Sequence, residues 1–198
     1  HPEYSNRVHT EADVALQKEA AKHSYSLELI GEAVGKRQCE KAEKKALTHI
    51  KEGWQHLQKY GITIGSLAQL GHIIEPETHT TSYFRNELVA FGPFTAPDAD
   101  KIPNLVDNLI YRLQTEDIHP VTRATETHIE LVRIHPYIDG NGRAARLVQN
   151  FYLRQQGYPA AVIPSPEREL YITLMKNALM DRLNMKSYFG SPSSAESL

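Results

Sequence analysis

His135-Pro136-Tyr137-Ile138-Asp139-Gly140-Asn141-Gly142-Arg143-Ala144-Ala145-Arg146 brings a base, an acid, a glycine turn and two arginines into one short run of chain. Gly140, Asn141 and Gly142 are residue types that tolerate positive φ, the conformation in which successive backbone N–H groups converge on an anion. The residues that follow, 143–155, are rich in Ala, Leu, Arg and Gln and contain no Gly or Pro. They predict a helix whose positive N-terminus faces that turn, an arrangement suited to phosphate. Arg143 and Arg146 are neighbours on one helix face, and each guanidinium can fork onto phosphate oxygens. Asp139 is a hard oxygen ligand of the kind that holds Mg2+ between phosphates. His135, with an ordinary pKa of about 6.5, suits proton abstraction near neutrality. Each feature alone has a plain structural account: a helix-to-helix turn, a solvated arginine face, a histidine before proline. Their concentration in one loop is what points to phosphate chemistry. The Walker A pattern GxxxxGK[ST] is absent.

Outward from this loop, 198 residues with 40% hydrophobic and 23% charged side chains bound the chain as one globular domain with a sizeable core. A formal net charge of -2 gives no electrostatic case for nucleic acid or a membrane surface. The single Cys39 excludes an internal disulfide and fits a reducing compartment. There is no apolar run of about 18 residues and no signal peptide, so a cytoplasmic chain is expected, with export as an effector left open. The sequence begins His1-Pro2 rather than Met, and it is expected to be trimmed.

The pattern along the chain is helical almost throughout. Helices are expected at about 11–30, 34–59 (with Ala42, Leu47, Ile50, Trp54 and Leu57 inward), and 64–73 with a cap at Thr63 or Ser66. Further helices are expected over 102–114 (Leu105, Val106, Leu109, Ile110 and Leu113 inward), 121–134 opened by Pro120, 143–155, and 166–183. In the last of these, Tyr171, Leu174, Met175, Ala178 and Leu179 face inward. Between residues 75 and 97 the helical period gives way to β-branched and aromatic residues, which predict a short hairpin. His128 and His135 stand two helical turns apart, too far to share a metal without a break, so His128 reads as a packing histidine. Residues 1–10 and 191–198 are polar and unpatterned. The division expected is an N-terminal helical segment at 1–60, a core at 61–190 and a tail at 191–198, within one structural domain.

HPYIDGNGRAAR resembles the HPFxDGNGRxxR signature of the Fic (filamentation induced by cAMP) family, with Tyr137 at the signature phenylalanine. The similarity runs through 124–159 and on through Ile163 and Arg168 to Tyr171. The resemblance implies a mainly all-α fold, a helical bundle around a loop-helix active site with one short β-hairpin flap. It implies transfer of AMP from ATP to a Ser, Thr or Tyr hydroxyl of a target protein, with His135 as base and Mg2+ on Asp139. Gly140, Asn141 and Gly142 would stabilise the α-phosphate, and Arg143 and Arg146 would clamp the β- and γ-phosphates. Tyr171 matches a tyrosine near the adenine, although core packing accounts for it equally well. Phe84-Arg85 matches a [YF]R pair in a flap that docks the target by strand addition.

Ser24 to Glu28 matches the [ST]xxxE part of a helix that lies over the nucleotide site, where the glutamate pairs with the second signature arginine. Leu29 departs from the Gly or Asn that follows in that motif. Glu28 on Arg146 would occupy the fork meant for a γ-phosphate and make the domain autoinhibited. On residue pattern alone, Ser24 and Glu28 also fit the solvent face of an amphipathic helix. Two alternatives stay open: the same site acting as a hydrolase that removes AMP, and an inactive nucleotide-binding interaction module. The expected partners are ATP and an unidentified target protein, without direct nucleic acid or membrane contact, and a homodimer is compatible with the sequence.

Overall fold

The computed structural model describes residues 19–20, 22–23, 36–81 and 83–189. Ser24 and Glu28 lie outside the described residues. Six α-helices lie between residues 36 and 189: α1 Lys36–Tyr60, α2 Ile64–Ile74, α3 Ile102–Thr115, α4 Pro120–Ile134, α5 Asn141–Gln155 and α6 Arg168–Phe189. Two short strands, β1 Ala90–Phe91 and β2 Phe94–Thr95, pair antiparallel with Phe91 opposite Phe94. Among the described residues no helix is long and apolar enough to cross a membrane.

The loop between α4 and α5 is held by the helices packed around it. Helix α1 ends where Gly61 takes φ 68° and its N–H returns to the Leu57 carbonyl at 2.8 Å, a left-handed stop for which glycine carries no Cβ penalty. Helix α2 opens on a reciprocal cap in which the Thr63 side chain accepts from the Ser66 N–H and the Ser66 hydroxyl accepts from the Thr63 N–H. Ile50 and Leu57 of α1, Leu67, Leu70 and Ile74 of α2, Val106 of α3, Leu131 of α4 and Val148 and Phe151 of α5 form one apolar core. Burial of each such side chain contributes roughly 1.5–3 kcal/mol.

Helix α5 lies at the centre, buried on most of its surface, against α4, α1 and α2. Ala144 and Ala145 keep that approach close. Helix α3 ends under Arg123 of α4, which is 2% exposed and donates to the Arg112 and Glu116 carbonyls and to the Glu116 carboxylate. A cation at a helix C-terminus answers both the macrodipole and the carbonyls left without intrahelical donors. Helix α6 is tied to α4 by Arg182, which pairs with Glu126 and Glu130.

Several sequence expectations shift. The inward stripe of α1 runs through Ala46 rather than Ala42, which is exposed. The hairpin occupies only residues 90–95, and Arg85 donates to the Glu87 and Pro97 carbonyls on either side of it. Helix α6 runs to Phe189, beyond the expected end at 183, and Leu174 is exposed instead of inward. Helix α5 starts at Asn141, two residues before the expected start.

Candidate active site

Pro136 disfavours right-handed helical backbone at the residue before it, so α4 must end at His135. His135 takes φ 51° and ψ 58°, left-handed for a non-glycine residue, a conformation that costs of order 1–3 kcal/mol unless its surroundings fix it. They do so from two sides. The His135 N–H donates to the Leu131 carbonyl at 3.0 Å, and its carbonyl accepts from Arg85 Nε at 2.7 Å.

The tautomer of His135 follows from one contact. Nδ1 lies 3.2 Å from the Val132 carbonyl, which can only accept, so Nδ1 carries the proton and Nε2 carries the lone pair. The Phe91 ring from the hairpin stacks on the imidazole at 4.1 Å and 7°. Burial, aided by the nearby Arg85 charge, lowers the His135 pKa to about 4, against the Val132 hydrogen bond and Asp139, which raise it. The imidazole is therefore neutral near pH 7.

The turn itself is built by side chains that point back into the protein. Asn141 accepts from the Tyr137 N–H at 2.9 Å and donates to the Tyr137 carbonyl at 2.8 Å, closing the loop on itself. Tyr137 is buried, and its hydroxyl donates to the Leu67 carbonyl at 2.6 Å. The oxygen that distinguishes it from the signature phenylalanine is thereby satisfied. A Cβ on Gly71 would meet the Tyr137 ring at 2.4 Å, so this glycine is what lets α2 approach the loop.

Of Gly140, Asn141 and Gly142, only Gly140 has positive φ, at 78°. Its N–H is committed to Asp139 Oδ1 at 2.6 Å. The N–H groups of Asn141 and Gly142 precede the first hydrogen bond of α5, which runs from the Ala144 N–H to the Gly140 carbonyl at 2.9 Å. The turn is thus a helix N-terminus preceded by one left-handed glycine rather than a run of positive-φ residues.

Arg143 is 7% exposed. It pairs with Glu75 at the end of α2, and its Nη2 lies 3.9 Å from Asp139 Oδ1. Glu75 was not singled out in the sequence; its signal was an acid directly before Pro76, where α2 has to stop. Asp139 has a side chain that is 62% exposed, and its backbone is held by the ring of His79, which sits within 3.2 Å of the Asp139 carbonyl. One Asp139 oxygen is engaged by Gly140, and the carboxylate opens to solvent beside the helix N-terminus. That fits a metal that takes one carboxylate plus phosphate oxygens.

Arg146 lies one turn along α5, where Tyr171 of α6 presents its hydroxyl at 3.3 Å. Phe84 and Arg85, read from the sequence as flap residues, face inward in this structure: Phe84 packs on Tyr137, and Arg85 is 4% exposed. The hairpin that flanks the site does so through Phe91.

Two buried histidines make stability pH-dependent with a definite sign. Burial lowers both His128 and His135 from 6.5 to about 4. The unfolded chain takes up these protons near pH 6.5 and the native state only near pH 4, so their contribution is complete above pH 6.5 and is lost as pH falls toward 4. The loss should reach roughly 3 kcal/mol per histidine. The urea midpoint is expected to fall between about pH 7 and pH 4.5, largely before carboxylates titrate. A flat midpoint over that window would show that the rings are not buried in the neutral form.

Residues 62–153 match the model of the Fic/DOC family. Over 130 residues the chain is 36% identical to the protein adenylyltransferase Fic of Drosophila erecta, an alignment covering 62% of this chain and 26% of that protein. The same protein of Drosophila grimshawi gives 35% over 130 residues with the same coverage. The chain spans about a quarter of the length of the curated relatives it matches. Among solved structures, Fic-1 (residues 134–508) of C. elegans superposes with a TM-score of 0.70 at 18% identity, over 90% of this chain and 62% of that one. A Fic domain containing signaling protein of Bacteroides thetaiotaomicron gives 0.67 at 23%, over 84% and 75%. With the signature loop folded onto the N-terminus of α5, the stretch from just before α2 to within α5 is the part of the chain that matches the Fic/DOC family.

Proposed function

We propose that this domain is a protein adenylyltransferase that moves AMP from ATP to a Ser, Thr or Tyr hydroxyl of a target protein, the activity for which its curated relatives are named. The observation that carries this reading is the neutral His135 imidazole, its Nδ1–H on the Val132 carbonyl and its Nε2 lone pair available, set at the entrance to an anion-binding helix N-terminus. Nε2 accepts the proton of the target hydroxyl as its oxygen bonds to the α-phosphorus. The bond from that phosphorus to the bridging oxygen breaks, and pyrophosphate leaves with the electron pair. The first N–H groups of α5 answer the charge growing on the α-phosphate, a preorganised device worth a few kcal/mol elsewhere. Arg143 and Arg146 hold the β- and γ-phosphates and so keep the leaving group in line. Asp139 would hold Mg2+, which when bound neutralises phosphate charge.

The test is incubation with ATP labelled at the α- or the γ-phosphate. Label on protein from the α-position alone is the expected result. Label from the γ-position would mean a kinase, and intact ATP binding without transfer would mean a sensing module. Loss of AMP from pre-labelled target would identify the hydrolase alternative.

Autoinhibition by Glu28 belongs to the same proposal. His23, the neighbour of Ser24, bonds Ser165 through Nδ1 at 2.9 Å, shortly before the helix whose Tyr171 meets Arg146. The contact puts His23 beside the turn that leads into α6, in keeping with that reading. Glu28→Gly is expected to raise labelling by about tenfold or more, the worth of one charge-assisted hydrogen bond. Unchanged or lower labelling would remove the inhibitory role.

A further inference from the structure

His128 and Tyr171 are joined to Arg146 by a hydrogen-bond chain with a fixed direction. His128 is 4% exposed, on the side of α4 that meets α5 and α6. Its Nδ1 faces Oε1 of Gln149, an atom that can only accept, so Nδ1 carries the proton. Its Nε2, 2.9 Å from the Tyr171 hydroxyl, is then an acceptor, and Tyr171 must donate to it. With its proton so directed, the Tyr171 oxygen turns a lone pair to Arg146 Nη1 at 3.3 Å, and the guanidinium also lies 5.8 Å from the centre of the Tyr171 ring. Burial lowers the His128 pKa to about 4, in keeping with a ring that stays an acceptor at neutral pH.

We propose that Gln149, His128 and Tyr171 form a positioning relay that aims the Arg146 guanidinium at the β- and γ-phosphates, so that Tyr171 serves the triphosphate end of the nucleotide rather than its base. The chain links residues from α4, α5 and α6. Any buried histidine needs hydrogen-bond partners; what singles out His128 is that its partners run on through the Tyr171 hydroxyl to Arg146. This inference rests on the reading of Arg146 as a phosphate ligand given above.

The experiment compares ATP and AMP affinities by calorimetry for the full chain and for Tyr171→Phe, His128→Leu, the double variant, His128→Gln and Arg146→Ala, with thermal midpoints recorded alongside. Tyr171→Phe keeps the ring and removes only the hydroxyl. It should weaken ATP by about 3- to 10-fold, the worth of one ordinary hydrogen bond, with AMP changed by less than about twofold. His128→Leu should cost as much, the double variant no more than either alone, and His128→Gln, whose amide oxygen can accept from Tyr171, should recover most of the loss. If His128→Leu does not fold, the ATP-against-AMP split in Tyr171→Phe carries the test. Equal losses for ATP and AMP, or additive losses in the double variant, would overturn the relay. Parent-like ATP affinity in Arg146→Ala would instead overturn the phosphate assignment on which it rests.

Discussion

Replacing His135 with alanine is expected to lower AMP transfer by about 10²- to 10⁴-fold, the usual worth of a positioned general base, while ATP affinity changes by less than about threefold. The separation follows from where the groups come from. In the proposed mechanism the phosphates are held by the start of α5 and by Arg143 and Arg146, whereas the imidazole belongs to the residue that follows α4 and reaches the site from the other side of the turn. Alanine also loses the stacked Phe91 ring and is a poorer occupant of left-handed backbone than histidine. His135→Asn controls for this, because asparagine tolerates φ near the observed 51° and cannot act as a base. Both variants should be equally inactive by α-label transfer and equally competent in ATP calorimetry. Transfer retained within tenfold in either would remove His135 as the base.

The loop and the elements that bracket it were legible because their signals are local. Pro120 starts α4, Pro136 ends it, Thr63 and Ser66 cap α2, and Gly140 supplies the one left-handed hinge before α5; each acts within four residues of its own position. What the sequence left open depends on pairings made across the chain. Glu75 meets Arg143 only because α2 ends against Gly140, where an added Cβ would stand 3.1 Å from the Glu75 side chain. The burial of Arg85 was open for the same reason, since an arginine within a polar and aromatic stretch has no local mark that distinguishes a surface residue from a buried clamp. Helix α6 has apolar residues on more than one face, so periodicity could not say that Leu174, like Leu170 and Met180, is left in solvent. For Tyr171, composition offered packing and the resemblance offered the adenine; its hydrogen bonds to His128 and Arg146 needed three helices assembled.

Arg85→Met is expected to destabilise the fold by about 3 kcal/mol or more and to move the acid limb of activity to higher pH. The guanidinium donates to the carbonyls of His135 at 2.7 Å, Glu87 at 2.5 Å, Pro97 at 2.6 Å and Ile134 at 3.4 Å, while the Arg85 backbone N–H, which methionine would keep, donates to the Pro136 carbonyl at 2.9 Å. One side chain therefore ties the C-terminus of α4 to the chain on both sides of the hairpin. Methionine fills a similar volume but leaves these carbonyls without their donor. Lysine should rescue little, because a single ammonium cannot span acceptors placed around a planar fork. The pH effect separates a role at the site from a role in folding alone. Arg85 is one of the causes that lower the His135 pKa, so removing its charge should let that pKa rise, and the fall of kcat/KM on acidification should begin at higher pH than in the parent. Loss of stability with an unmoved acid limb would confine Arg85 to folding. A shifted limb would place it as the cation that, with Val132, keeps the His135 Nε2 lone pair free for the incoming hydroxyl.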